Sequence, residues 1–143
     1  MRWRVSAARL VTTLILLALA GCGGDSGTST AIIETVSPAE AAEIIGEGRS
    51  DLVILDVRTP DEFAAGHLSD AVNLDYYSPS FADSLAVLDR DATYVLYCRT
   101  GNRSAEVREM MRGLGFAEVH EIAGGFVAWD EAGRPYESFS PGI

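Results

Sequence analysis

The 143-residue chain contains no lysine, and all eleven of its basic residues are arginines. That absence closes off Schiff-base chemistry and the lysine-dependent phosphate loop, both of which need a primary amine. Positive charge is also scarce. Twenty-one acidic residues give a net charge of -10 and a pI near 4.5, a balance that argues against nucleic acid as a partner. Histidine and cysteine occur twice each. His67 and His120 stand far apart and the two cysteines are not closely spaced, so no metal site is expected. No cofactor is implied. The length suits one domain and is too short for two.

Long apolar runs are nearly absent too. The exception, Leu10 to Ala20, has eleven residues, where a membrane-spanning helix needs about 20. Arg2, Arg4 and Arg9 precede it and the small pair Ala20-Gly21 ends it, which is the layout of an export signal over residues 1–21. Leu19-Ala20-Gly21-Cys22 resembles the lipobox of bacterial lipoproteins. The resemblance implies acylation of Cys22, which becomes the mature N-terminus, and a membrane partnership through that lipid anchor on the extracytoplasmic side of the cell envelope. Two or three acyl chains hold a protein stably where one does not. Removal of the leader leaves eight arginines against 21 acids, a charge of -13. Gly23 to Thr30 has no apolar residue, so residues 22–30 read as a flexible tether spanning about 15 Å. A domain over 31–138 and a C-terminal tail over 139–143 complete the chain.

From Ala31 onward, short β-branched runs alternate with capped amphipathic segments, the pattern of βαβ units in an α/β domain with a parallel or mostly parallel sheet. Ile32 to Val36 reads as a strand. Ser37-Pro38-Ala39-Glu40 is a capping box with proline at the first helical position, and predicts a helix to about Glu47. The run Leu52 to Val57 reads as a buried strand ending at Asp56, and Thr59-Pro60-Asp61-Glu62 opens a short helix that Gly66 ends. Ala71 to Leu74 is a short strand; after Ser78-Pro79, Phe81, Leu85 and Leu88 recur at helical spacing. Thr93 to Tyr97 reads as another buried strand, and Val107, Met110, Met111 and Leu114 mark one face of the helix that follows. Val119 to Ile122 is a last strand. Gly124-Gly125 then leads into a helical turn whose Phe126 and Trp129 have the spacing of core residues.

Cys98 falls where a buried strand gives way to a helix, the position at which open α/β sheets place their productive crevice. The six residues from Cys98 to Arg103 can curl so that backbone N–H groups converge on an anion, backed by the helix N-terminus. Arg99 and Arg103 add two cations to the same loop. The Cys98 thiol is therefore expected to ionise below the free value of about 8.5. With Cys22 assigned to the lipobox, Cys98 is the candidate catalytic nucleophile.

Four motifs carry a family resemblance: Leu55 to Phe63; Gly66-His67-Leu68 with Ala71-Val72-Asn73; Tyr97 to Ser104; and Ile122 to Phe126 with Trp129. In this order they resemble the rhodanese domain over about 31–138. The resemblance implies a rhodanese-like α/β fold, a five-stranded mainly parallel sheet flanked by helices on both faces. It also implies that Cys98 carries sulfur as a persulfide, taken from a small anionic donor such as thiosulfate and passed to a thiol or other thiophilic acceptor. The backbone N–H groups of Arg99, Thr100, Gly101, Asn102 and Arg103 match the family's substrate cradle. Asp56 and Arg58 match a strand-end pair that supports the loop, with an Arg58–Glu62 ion pair as the other reading. His67 matches a helix-end position with a packing role, and a monomer is expected.

Two other functions are compatible with a cysteine in such a loop. Phosphatases and arsenate reductases of related fold carry C-x5-R, one residue longer, to admit a tetrahedral oxyanion; Cys98 to Arg103 is C-x4-R, sized for sulfur. A membrane-tethered binding or sulfide-sensing module without turnover is the reading from a different class.

Overall fold

The computed structural model describes residues 30–139. The expected leader, the lipidated Cys22 and the tether as far as Ser29 lie outside the described residues, as do residues 140–143. In chain order the elements are β1 (Ile32–Val36), α1 (Pro38–Gly46), β2 (Leu52–Asp56), α2 (Pro60–Ala65), β3 (Gly66–His67), β4 (Val72–Asn73), α3 (Phe81–Ala86), β5 (Thr93–Tyr97), α4 (Asn102–Leu114), β6 (Glu118–Ile122), α5 (Gly125–Glu131) and β7 (Glu137–Ser138). Both predicted capping boxes form. At α1 the Glu40 carboxylate accepts from the Ser37 N–H at 2.8 Å, and at α2 the Glu62 carboxylate accepts from the Thr59 N–H at 2.9 Å.

Five strands pair in the order β1-β6-β5-β2-β4, every pair parallel. β5 lies at the centre and all five of its residues are buried. Successive side chains alternate between faces. Tyr94 and Leu96 join Leu55, Phe81, Val107, Met111 and Phe116 in the core shared with α3 and α4. Val95 and Tyr97 point the other way, into the core that Ala41 of α1 and Trp129 of α5 complete. Helices thus cover both faces, as the sequence pattern requires of a parallel sheet. The carboxyl end of β5 opens into the middle of the crevice, and Cys98 is the next residue.

Two details differ from the sequence reading. Gly66 does more than end a helix: β3 pairs with β7 as an antiparallel ribbon, Gly66 opposite Ser138 and His67 opposite Glu137. A side chain at Gly66 would meet the Glu137 carbonyl and the Tyr136 ring at 3.2 Å. The buried face of α4 runs through Ser104, Val107 and Met111, with Leu114 packed at its edge, whereas Met110 is 37% exposed. Met110 follows Val107 by three residues, at the rim of the stripe rather than on it.

This division of the two methionines is measurable. Met111→Ala is expected to lower unfolding free energy by about 2–5 kcal/mol, the range for emptying a core methionine site, while Met110→Ala stays within about 0.5 kcal/mol. Equal losses in urea titrations of the two variants would place Met110 in the core after all.

Candidate active site

Parallel β2 and β5 end side by side, Asp56 in register with Tyr97, and deliver Arg58 and Cys98 to one crevice. Between Cys98 and α4 the backbone turns sharply at Gly101, whose φ of +101° favours glycine. The turn brings the Gly101 N–H to 3.1 Å from Cys98 Sγ. Behind it stands the N-terminus of a helix of 13 residues, the positive end of its dipole.

The loop holds this shape because another helix takes up its carbonyls. At the start of α5 the Phe126 N–H donates to the Cys98 carbonyl at 2.8 Å, and the Val127 N–H to the Arg99 carbonyl at 3.0 Å. Those two bonds fix the peptides whose N–H groups belong to Arg99 and Thr100, and so set the course of the backbone into the Gly101 turn. The approach is close. A Cβ on Gly125 would sit 2.5 Å from the Cys98 carbonyl oxygen and 2.8 Å from Arg99 backbone atoms, and φ there is +60°. Only glycine fits.

Cys98 is 1% exposed. Burial pushes its thiol pKa up, but the Ser104 hydroxyl and the N–H groups of Ser104, Gly101 and Thr100 outweigh that and bring it below the ordinary thiol value. The expected direction holds, and the loop and α4 donors are the convergent N–H groups expected there; Arg103 adds a Coulombic attraction to the Cys98 sulfur. Arg99 is exposed at the rim of a cleft of about 240 Å³ that Arg58, Glu62, Phe126 and Tyr136 also line. Arg103 is clamped by Glu62, Nη1 and Nη2 each 2.9 Å from one carboxylate oxygen, with Tyr77 beside its guanidinium. Thr100 and Asn102 are exposed at the turn. A larger cleft, about 440 Å³, is lined by Ala64, His67 and residues 137–139 at the ribbon and includes no residue of the Cys98 loop.

The Arg58–Glu62 pair is corrected by the structure. Arg58 instead grips Asp56, Nε at 2.9 and 3.0 Å and Nη2 at 2.6 Å from the carboxylate, and Nη2 also donates to the Gly66 carbonyl. The pair is buried, with the guanidinium stacked 4.3 Å from the Phe126 ring centre. It ties β2 to the end of α2 and to the helix that braces the loop. Removing one partner of such a buried pair costs about 3–5 kcal/mol. His67 packs as expected, stacked on Phe63 with Nδ1 2.9 Å from the Phe63 carbonyl. His120 lies on β6 between Glu34 and Glu118. Among the described residues no group of His, Cys, Asp and Glu is placed to hold a metal. The sequence reading did not single out Ser104, Glu62 or Gly125 as parts of the site.

Such a loop defines the class: α/β domains that hold a cysteine sulfur in a ring of backbone donors at the end of the central strand. Within it, the model of the rhodanese-like domain matches residues 37–132, and the chain belongs to that family. The thiosulfate sulfurtransferase GlpE of Pseudomonas entomophila is 37% identical over 94 residues, 66% of this chain and 82% of the relative. The Mycobacterium tuberculosis protein named "Probable adenylyltransferase/sulfurtransferase MoeZ" is 34% identical over 80% of this chain, which spans only 29% of that longer relative. A rhodanese-related protein of Thermoplasma volcanium superposes with a TM-score of 0.64 at 29% identity, covering 73% of this chain and 97% of its own. A rhodanese-like domain protein of Staphylococcus aureus gives 0.62 at 27%, covering 75% and 99%.

The Glu62–Arg103 clamp makes a pH prediction. Its hydrogen bonds with Arg103 above all, and with Thr59, bring Glu62 from 4.5 to about 2. A carboxylate with a depressed folded-state pKa stabilises fully above its unfolded value and loses that contribution as pH falls through the folded one. The stability gap between wild type and Glu62→Gln should be widest above pH 4.5 and close toward pH 2. Urea unfolding across this range reads it, and a gap that ignores pH would mean the charge is not what Glu62 contributes.

Proposed function

We propose that the protein is a sulfurtransferase of the rhodanese type. The observation that carries this reading is the Cys98 sulfur held by backbone donors in a C-x4-R loop. The Cys98 thiolate attacks the outer sulfur of an anionic donor such as thiosulfate. The donor's S–S bond breaks, sulfite leaves with the bonding pair, and Cys98 is left as a persulfide. A thiolate or other thiophilic acceptor then attacks the outer sulfur and Cys98 returns to thiolate, so the cycle needs no cofactor. The donors that favour thiolate equally suit the anionic persulfide. Arg99 at the rim attracts an anionic donor, and Arg103, held by Glu62, frames the loop. The names of the GlpE relatives support the same chemistry.

The N-terminal reading is proposed with it. Residues 1–21 direct export, acylated Cys22 anchors the protein outside the cytoplasmic membrane, and the tether over 22–30 carries a monomeric domain over 31–138.

Thiosulfate should add one sulfur to the intact protein, and cyanide should remove it; Cys98→Ser should gain none and form no thiocyanate while keeping its fold. Sulfur transfer in that variant would overturn the mechanism. A sulfur gained but not surrendered to cyanide or thiols would favour a sulfide-sensing module instead. For the anchor, Cys22→Ala should move the protein out of the detergent phase, and unchanged partitioning would refute lipidation.

A further inference from the structure

Tyr136 belongs to the short segment that runs from the end of α5 to the β3–β7 ribbon, and no transfer step above uses it. The segment is pinned on both sides of the tyrosine: Trp129 Nε1 donates to the Pro135 carbonyl at 3.0 Å, and Glu137 pairs with His67 across the ribbon. The ring is therefore held in place. It meets the Phe126 ring edge to face, centres 4.9 Å apart, and covers Gly66, where an added Cβ would stand 3.2 Å from it. Phe126 in turn lies 4.3 Å from the Arg58 guanidinium. Two aromatic rings thus make one wall, and Tyr136 keeps 36% of its surface exposed.

This wall borders the cleft of about 240 Å³ beside the Cys98 loop. Arg99, the residue after Cys98, lines the cleft directly; Glu62, which also lines it, holds Arg103 at the other end of the loop. The lining charges differ in availability. Arg58 is taken up by Asp56 and Glu62 by Arg103, whereas Arg99 is exposed and in no ion pair among the described residues. Drug-sized ligands occupy pockets of about 300–1,000 Å³. A smaller cleft with one available cation and an aromatic wall suits a small molecule that has an apolar body and an anionic end.

We propose that this cleft is the acceptor subsite and that Tyr136 is a specificity-determining residue in it, favouring a small aliphatic thiol that carries a carboxylate. The inference rests on the sulfurtransferase reading. In the second half of that cycle the acceptor thiol gives its proton to water and its sulfur bonds to the outer sulfur of the persulfide. The bond to Cys98 Sγ breaks, its electron pair stays on Cys98 as thiolate, and the acceptor departs as a persulfide. The carboxylate meets Arg99, and the aliphatic body lies against the rings of Tyr136 and Phe126, out of water. Cyanide and thiosulfate have no such body, so the wall discriminates among acceptors.

The test is discharge of the full chain after loading with thiosulfate and removal of the excess, the lost sulfur read over time by intact mass. At low salt, wild type should be discharged about fivefold faster by ω-mercaptohexanoate than by ω-mercaptohexanol, the scale of an exposed ion pair, and Arg99→Gln should abolish that preference. Tyr136→Ala should lower the ratio of ω-mercaptohexanoate to cyanide discharge about tenfold, through the KM of the thiol. Tyr136→Phe keeps the ring and should restore most of the ratio. Equal discharge by the acid and the alcohol, or a ratio that Tyr136→Ala does not move, would overturn the proposal. A wild-type protein that gains no sulfur from thiosulfate would instead take away the sulfurtransferase reading, and this one with it.

Discussion

The two hydrogen bonds from the start of α5 to the Cys98 and Arg99 carbonyls govern the site. A peptide group has two polar ends, and fixing the oxygen fixes where the N–H points. The requirement propagates. It places α5 hard against the loop, demands glycine at 125, and makes the packing of Trp129 and of Phe126 on Arg58 matters of loop geometry as well as stability. The buried Asp56–Arg58 pair serves the same end, since Arg58 spans from β2 to the ring of Phe126.

With the loop so held, a chain poor in cations can stabilise a sulfur anion without spending an arginine on direct contact. Backbone donors carry no counter-charge to neutralise and need no side-chain ordering once the helices are packed. Arg103 illustrates the contrast. It bears a full charge near Cys98, but Glu62 takes both arms of its guanidinium and raises its pKa, so it acts on the sulfur by attraction across space rather than by a hydrogen bond.

Much of this was legible in the amino-acid order. The strands ending at Asp56 and Tyr97, both capping boxes and the place of Cys98 follow from local rules, because each depends on residues within one or two turns of one another. Longer-range features were not legible. Glu62 and Arg103 meet across 41 positions, and the choice of Asp56 over Glu62 by Arg58 depends on a strand end that directs both side chains inward. Gly125 resembles any helix-opening glycine until the neighbouring backbone is in place. Glu121 of β6 looks like an ordinary polar strand residue, and is buried only by distant elements, Thr35 in register on β1, Leu96 on β5, and α4 above them. The β3–β7 ribbon has two residues per strand, too few to show a period. Met110 and Met111 follow Val107 by three and four residues, so spacing alone admits either to the buried stripe.

The strand order also dictates when the domain can become itself. β1 is near the start of the described residues, and among these it pairs with β6 alone, Ile32 opposite Glu118. Until residues 118–122 exist, β1 lacks the one partner it has among the described residues, and until residues 125–127 follow, the Cys98 and Arg99 carbonyls lack their donors. Closing the sheet and bracing the loop therefore both need the last third of the domain, a pairing of the long sequence separation that slows folding. A ribosome-bound chain that stops short of residues 125–127 would lack the two hydrogen bonds that brace the Cys98 loop.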